Sequence, residues 1–109
     1  MSTKTLREVC NAVGVTRRAV QGYERAGLVS ATCRNERGYL LYDEEALEKI
    51  KKIKLFQEMG FTVREICELD HAPNHVLKAA LEIRVKKLRM EDGRVNEMIR
   101  VAMEMIREL

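Results

Sequence analysis

Residues 5–28, with the sequence TLREVCNAVGVTRRAVQGYERAGL, decide the fold that we predict. Thr5 and Glu8 have capping-box spacing, in which the hydroxyl and the carboxylate each accept an amide at the start of a helix. Gly14 supplies the left-handed residue that ends this helix, and Thr16 is the N-cap of a second one. Two short helices joined by a tight turn form a helix-turn-helix, whose second helix fits a major groove.

The polar face of the second helix is basic. It carries Arg17, Arg18, Gln21 and Arg25. Arginine bonds guanine bidentately and also bonds phosphate, and glutamine can bond adenine. These residues therefore predict contact with double-stranded DNA, and the alternative that they leave open is a helical hairpin with a solvated basic face.

The charge of the chain is concentrated at its start. The net charge is +3, but residues 1–37 carry +4, residues 38–73 carry −3 and residues 74–109 carry +2. A surface that faces phosphates requires such a local basic excess. The chain has three Tyr, two Phe and no Trp, so the predicted core is aliphatic and helical.

Cysteine usage and hydropathy favour a cytoplasmic protein. Cys10, Cys33 and Cys67 are odd in number and widely spaced, which indicates neither a disulfide framework nor a zinc finger. A metal site of Cys67 with the two histidines is disfavoured because Pro73 interrupts the helix that would align them. We find no signal peptide, no membrane-spanning run and no catalytic arrangement, so we predict no membrane partner, no metal, no cofactor and no enzymatic activity.

Residues 29–42 lose helical periodicity and predict a small hairpin, or wing. Arg34 and Arg37 lie near its tip, and Tyr39 and Tyr42 alternate along its second strand. Arginine and tyrosine on a wing can contact the DNA backbone. The alternative is a surface hairpin that packs its tyrosines into the core.

Two further helices complete the first domain. Asp43 is the N-cap of a long helix. Thr62 and Glu65 repeat the capping-box spacing at the start of a short one. Pro73, the only proline, separates this part from the rest. We therefore predict a winged helix-turn-helix DNA-binding domain over residues 1–72.

Residues 73–109 predict one long dimerisation helix. Apolar residues recur at alternating spacings of four and three, as in a coiled coil. This seam consists of Leu81, Val85, Leu88, Val95, Ile99, Ala102, Ile106 and Leu109. A helix of about 35 residues is about 50 Å long and cannot bury its own seam. We therefore predict a homodimer.

Two features leave alternatives open in this helix. Asp92-Gly93 is a turn signal, so a helical hairpin bent at Gly93 competes with a continuous helix. Met98, Met103 and Met105 widen the apolar face beyond the seam. They indicate either a broader packed core or an adaptable surface for a partner.

Together these residues resemble the MerR family of bacterial transcriptional regulators. The resemblance covers about residues 5–69 and rests on the order and spacing of three groups of residues. These are Gly14-Val15-Thr16 with Val20, Tyr23-Glu24 and Gly27-Leu28; Gly38-Tyr39 with Tyr42 and Asp43-Glu44-Glu45; and Met59-Gly60-Phe61-Thr62-Val63 with Glu65-Ile66.

The resemblance implies a mostly α fold: a winged helix-turn-helix followed by a long helix that forms an antiparallel coiled coil. It implies a homodimer that binds a palindromic operator inside a promoter, then bends and untwists the DNA so that RNA polymerase can use both promoter elements. Because the family's sensing domain normally follows the coiled coil, we expect a minimal or truncated member.

The predicted DNA contacts combine the basic helix, the wing and the family pattern. They are Thr16, Arg17, Arg18, Gln21, Tyr23, Arg34, Arg37, Tyr39 and Tyr42. Two positions depart from the family, which usually has arginine where this chain has Gln21 and Leu40. These departures favour an alternative, a protein-interaction module that has lost DNA binding. A DNA-bending accessory factor of excision is a further alternative.

Overall fold

The computed structural model describes residues 2–109. In chain order its elements are β1 (Lys4–Thr5), α1 (Leu6–Val13), α2 (Arg17–Arg25), β2 (Cys33–Arg34), β3 (Leu40–Tyr42), α3 (Glu44–Glu58), α4 (Val63–Asp70) and α5 (Asn74–Glu108). The contacts divide the chain between Ala72 and Pro73 into two compact units. We call the first, through Ala72, the winged unit; the second consists of α5 and its two flanking residues.

Local hydrogen bonds explain where α1 begins and ends. Thr5 Oγ1 accepts the amide of Glu8 at 3.3 Å, and Glu8 Oε1 accepts the amide of Thr5 at 3.0 Å, which is the predicted capping box. Gly14 has a φ of +78°, the left-handed conformation that ends the helix. Lys54 Nζ from α3 donates to the carbonyl of Val13 at 2.9 Å, so a cation satisfies the C-terminus of α1.

The second helix and the two later ones begin at side-chain caps as well. Thr16 accepts the amide of Ala19 at 3.0 Å, and Asp43 accepts the amide of Ala46 at 2.9 Å. The capping box predicted at Thr62 is present before α4. Each cap satisfies a backbone donor that the first turn of a helix leaves without a partner.

The three strands form one small antiparallel sheet in the order β1-β3-β2. In this sheet Leu41 of β3 lies opposite Thr5 of β1 on one side and Cys33 of β2 on the other. The predicted wing is therefore β2 and β3. Strand β1 was not predicted, because two residues are too few to show an alternating pattern.

The core of the winged unit is mainly aliphatic, as predicted, with three aromatic rings. The residues that are at most 8% exposed are Val9, Val20, Tyr23, Leu28, Val29, Tyr42, Ala46, Leu47, Ile50, Ile53, Phe61 and Ile66. They come from α1, α2, β3, α3 and α4 and from the loops between them. This shared core fixes α2 and the wing within one unit.

Helix α5 is a continuous helix of 35 residues and includes Gly93 in its interior. The structure therefore contains the predicted long helix and does not adopt the hairpin alternative. None of the residues of α5 is buried. Across residues 2–109, no helix combines the length and the hydropathy needed to cross a membrane.

Candidate nucleic-acid interface

Helix α2 presents a basic surface to solvent. Arg17, Arg18, Gln21 and Arg25 are all exposed, whereas Val20 on the opposite face is fully buried. Within the described residues none of the three guanidinium groups forms a salt bridge with a carboxylate. Their charge is thus available to an anionic ligand.

The tip of the wing is held by one asparagine. Asn35 Oδ1 accepts the amide of Arg37 at 2.9 Å and the amide of Tyr39 at 3.0 Å. Arg34 Nη1 donates to the carbonyl of Gly38 at 2.7 Å and closes the same turn. Arg37 is exposed and Tyr39 is 58% exposed, so both side chains extend from a fixed tip. Sequence reasoning missed the role of Asn35, although Asn is a typical turn residue.

A cleft of about 520 Å³ lies where α1, α2 and the wing meet. It is lined by Thr5, Leu6, Arg7, Arg17, Arg34, Gly38, Tyr39 and Leu40. The cleft brings together Arg17, Arg34 and Tyr39, three of the predicted contacts, and adds Arg7. Sequence reasoning missed Arg7 because it assigned the interface to α2 and the wing alone.

The structure corrects the prediction for Tyr23 and Tyr42. They are 2% and 1% exposed, so neither ring is available to DNA. The hydroxyl of Tyr23 donates to Gln57 Oε1 at 2.5 Å, and that of Tyr42 donates to Glu24 Oε1. These bonds join α2 to α3 and to β3. The alternative of a hairpin with core tyrosines thus holds for Tyr42 and fails for the exposed Tyr39.

Burial also changes the acidity of both buried tyrosines. Removal from water raises the pKa of Tyr23. The same effect raises the pKa of Tyr42 above its ordinary value, and its hydrogen bond to Glu24 raises it further. Both phenols therefore stay protonated and act as hydrogen-bond donors within the fold.

The two positions at which the resemblance implies arginine lie in different surroundings. Gln21 is exposed on the basic face of α2. Leu40 is half-buried in β3 and forms part of the cleft. The substitution at Gln21 thus changes a side chain on the exposed helix face, whereas Leu40 makes one wall of the cleft apolar.

The seam of α5 lies on the surface. Val95, Ile99 and Ile106 are 57%, 53% and 68% exposed. Ile83, away from the seam, is 56% exposed, and Met98, which flanks the seam, is 62% exposed. Exposure alone therefore does not distinguish the seam from the rest of the helix; the heptad spacing does.

The three cysteines are free thiols, and no group of three side chains among residues 2–109 is arranged to hold a metal ion. Cys67 Sγ donates to the carbonyl of Ala26 at 3.6 Å. This hydrogen bond joins α4 to the residue that follows α2.

Known proteins similar to this chain regulate transcription. The family described as MerR HTH family regulatory protein matches residues 4–72. The HTH-type transcriptional activator mta of Bacillus subtilis is 33% identical over 94 residues, 86% of this chain and 37% of that protein. The mercuric resistance operon regulatory protein of Bacillus cereus is 37% identical over 62 residues, 57% of this chain and 47% of that protein. The chain spans less than half the length of these curated relatives.

Two solved structures share the fold. MtaN, the N-terminus of the Bacillus subtilis multidrug transporter activator, has a TM-score of 0.70 and 30% identity, over 94% of this chain and 97% of that chain. HiNmlR, a MerR family regulator lacking the sensor domain and bound to promoter DNA, has a TM-score of 0.71 over 90% of this chain and 79% of that chain. Its identity is 13%, so this likeness concerns the fold alone. The predicted winged helix-turn-helix followed by a long helix is confirmed.

Proposed function

Because this chain belongs to the MerR family of helix-turn-helix regulatory proteins, we propose that it binds a promoter operator in double-stranded DNA and regulates transcription there. The observation that carries the proposal is the exposed, unpaired basic face of α2 beside a wing whose tip presents Arg37 and Tyr39. A groove-reading helix flanked by a backbone-contacting wing is how winged helices bind DNA.

In this proposal α2 enters the major groove. Its first turn, with Arg17 and Arg18, and Gln21 in the next turn contact base edges and nearby phosphates. Thr16 caps the helix through its oxygen, which leaves its hydroxyl proton free to donate to a phosphate. Arg37 and Tyr39 contact the backbone beyond the groove, together with the N–H groups of Arg34 that do not bond the wing.

We propose further that α5 pairs with a second copy to form an antiparallel coiled coil. Each seam side chain that becomes buried contributes roughly 1.5–3 kcal/mol, whereas an exposed ion pair contributes about 0.2–1 kcal/mol. The exposed seam thus favours association over a solitary helix. Two winged units related by twofold symmetry would bind the two halves of a palindromic operator.

The family membership also supports a mechanism by deformation. We propose that the dimer bends and untwists its operator, so that RNA polymerase can engage both promoter elements. The energy of such deformation depends on sequence and therefore adds specificity at bases that the protein does not touch. A cytoplasmic location follows from this proposal, since the DNA and the polymerase are there, and the free thiols agree with it.

Fluorescence anisotropy tests DNA binding. A duplex selected by the protein from a randomised pool is compared with a scrambled duplex at matched salt. Arg18→Ala is expected to weaken binding to the selected duplex by about 5- to 150-fold, the range for a bidentate base contact. The control is Lys51→Ala, since Lys51 pairs with Glu48 at 3.1 Å.

The outcome that contradicts the proposal is equal affinity of the wild-type protein for both duplexes. If the protein then retains a stoichiometric protein partner that no DNA displaces, the interaction-module alternative is favoured.

Sedimentation mass tests the dimer with a matched pair of variants. Ile99 is in the seam and 53% exposed, and Ile83 lies about 200° around the helix from Leu81 and is 56% exposed. Ile99→Asp is expected to yield a monomer, whereas Ile83→Asp is expected to leave the dimer intact. A wild-type monomer, or equal effects of the two variants, would contradict pairing through the seam.

A further inference from the structure

Resting on the proposed function, we infer that Arg7 is a further DNA-contact residue that shares one backbone phosphate with Arg17 in the cleft between α1, α2 and the wing. The ligand class is a phosphodiester anion of duplex DNA. The observation behind the inference is that three arginines from three elements, Arg7, Arg17 and Arg34, line one cleft.

The position of Arg7 is unusual for a residue that serves only the stability of α1. It lies in the first turn, where the helix dipole and unpaired amides favour negative charge and disfavour an arginine. Oε1 of the adjacent Glu8 accepts a hydrogen bond from the amide of Thr5 at 3.0 Å, and this hydrogen bond lowers the pKa of Glu8. That carboxylate is therefore ionised but committed to the backbone. Within the described residues Arg7 has no salt-bridge partner.

The other walls of the cleft suit the same anion. Arg34 uses Nη1 for the carbonyl of Gly38 at 2.7 Å, and its remaining N–H groups can bond elsewhere. Tyr39 is 58% exposed and has a hydroxyl that can donate to phosphate. None of the residues that line the cleft is acidic. Leu6 and Leu40 make part of the lining apolar, which lowers the local dielectric and strengthens charge pairing.

Guanidinium groups bond phosphate in a planar, bidentate manner. A phosphate seated in the cleft would lie beside the first turn of α2 and the base of the wing, where the backbone leaves the groove that α2 enters. Such a contact carries no sequence information. Arg7 is thus expected to add affinity equally for every duplex.

The salt dependence of binding tests this inference. Arg7→Ala is expected to lower the slope of log affinity against log salt by at most about 1.8, the value for one phosphate contact in each of the two half-sites. Between 50 and 200 mM salt, a slope difference of about 1.8 makes the loss of affinity about 12-fold larger at the low-salt end. The loss should be equal for selected and scrambled duplexes. Arg7→Lys should keep the slope, and the control Lys51→Ala should leave it unchanged.

Methylphosphonate substitution locates the contact. Each linkage of the selected duplex is made neutral in turn, and wild-type protein is compared with Arg7→Ala. We expect one linkage in each half-site at which neutralisation weakens the wild type more than it weakens Arg7→Ala, in which Arg17 alone contacts that phosphate. If every linkage weakens both proteins equally, Arg7 contacts no phosphate and the inference is overturned.

The two proposals fail in different ways. If wild-type protein shows no preference for the selected duplex, the proposed function fails and the inference fails with it. If Arg18→Ala loses binding while Arg7→Ala behaves as Lys51→Ala does, only the inference fails. A changed circular dichroism spectrum of Arg7→Ala would identify a folding defect. In that case Arg7→Lys tests the inference: retained affinity and salt slope support it, and a loss of both overturns it.

Discussion

The winged unit and α5 use the same kind of side chain for different purposes. Ile50 of the winged unit is fully buried, whereas Ile99 of α5 is 53% exposed. Twelve hydrophobic residues form the core of the first unit, and the second unit contributes none to it. Aliphatic residues therefore stabilise the fold in one region and remain available for association in the other. The heptad spacing of the apolar residues in α5 indicates association rather than burial in a core.

The largest expected difference between the two regions concerns these isoleucines. Ile50→Ala should lower the free energy of unfolding of the winged unit by about 2–5 kcal/mol, because it removes buried methylene groups and leaves a cavity. Ile99→Ala should change that free energy by less than about 0.5 kcal/mol, because Ile99 is not part of the core of the winged unit. Urea unfolding followed by tyrosine fluorescence measures both. A comparable effect of the two variants would mean that α5 shares the core of the winged unit.

A smaller effect is expected from the two buried hydroxyl groups. Tyr42→Phe should cost about 1.5–3 kcal/mol, because Glu24 is a charged acceptor. Tyr23→Phe should cost about 0.5–1.5 kcal/mol, because Gln57 is a neutral acceptor. The same urea titrations measure both values. The reverse order would show that the hydroxyl of Tyr42 contributes less than its geometry indicates.

Alkaline pH should also separate the two regions. In the unfolded chain these phenols lose their protons near pH 10.0, whereas burial raises the pKa of Tyr23 and Tyr42 in the folded state. Unfolding then releases protons, so the stability of the winged unit falls as pH rises above about 10. Helix α5 has no tyrosine. Tyr42→Phe should show a smaller decrease than wild type in urea titrations at pH 9 and 11; an equal decrease would exclude Tyr42 as its source.

The smallest effect is expected at two glycines inside helices. Gly22 of α2 and Gly93 of α5 both have open space where a Cβ would lie. Replacement of either by alanine should stabilise its helix by roughly 0.5–1 kcal/mol. Gly22→Ala should raise the thermal midpoint seen by tyrosine fluorescence, whereas Gly93→Ala should raise only the helical signal in circular dichroism. A shift of the fluorescence midpoint in Gly93→Ala would show that the two regions unfold together.

The sequence was most informative where the signal is local. The capping boxes at Thr5 and Thr62, the left-handed Gly14 and the cap at Asp43 were predicted correctly. A cap depends on residues within one turn, so its chemistry is visible in a short stretch of sequence. The long helix was also predicted from its heptad pattern, but the sequence leaves open whether it bends at Gly93, and the structure shows that α5 continues through Gly93.

The parts that could not be predicted depend on contacts between distant residues. Tyr42 alternates on a wing strand and its amphipathic side chain suits either DNA or the core; its bond to Glu24 decides for the core. Arg7 joins the cleft only because α1 packs beside α2 and the wing, which no periodic pattern reveals. Asn35 is an exception, because it closes the wing tip through two amides within four residues of it, a local signal that sequence reasoning missed.

The ammonium group of Lys54 lies close to position 14 and bears on which residues that position can accept. It bonds Val13, and it would lie 3.0 Å from a Cβ at position 14. A side chain at Gly14 would thus meet both an unfavourable backbone conformation and an occupied space. Because Nζ is the end of a flexible side chain that can move aside, the left-handed backbone at position 14, with a φ of +78°, is the larger obstacle. Replacement of Lys54 alone should therefore not make a side chain at position 14 tolerable.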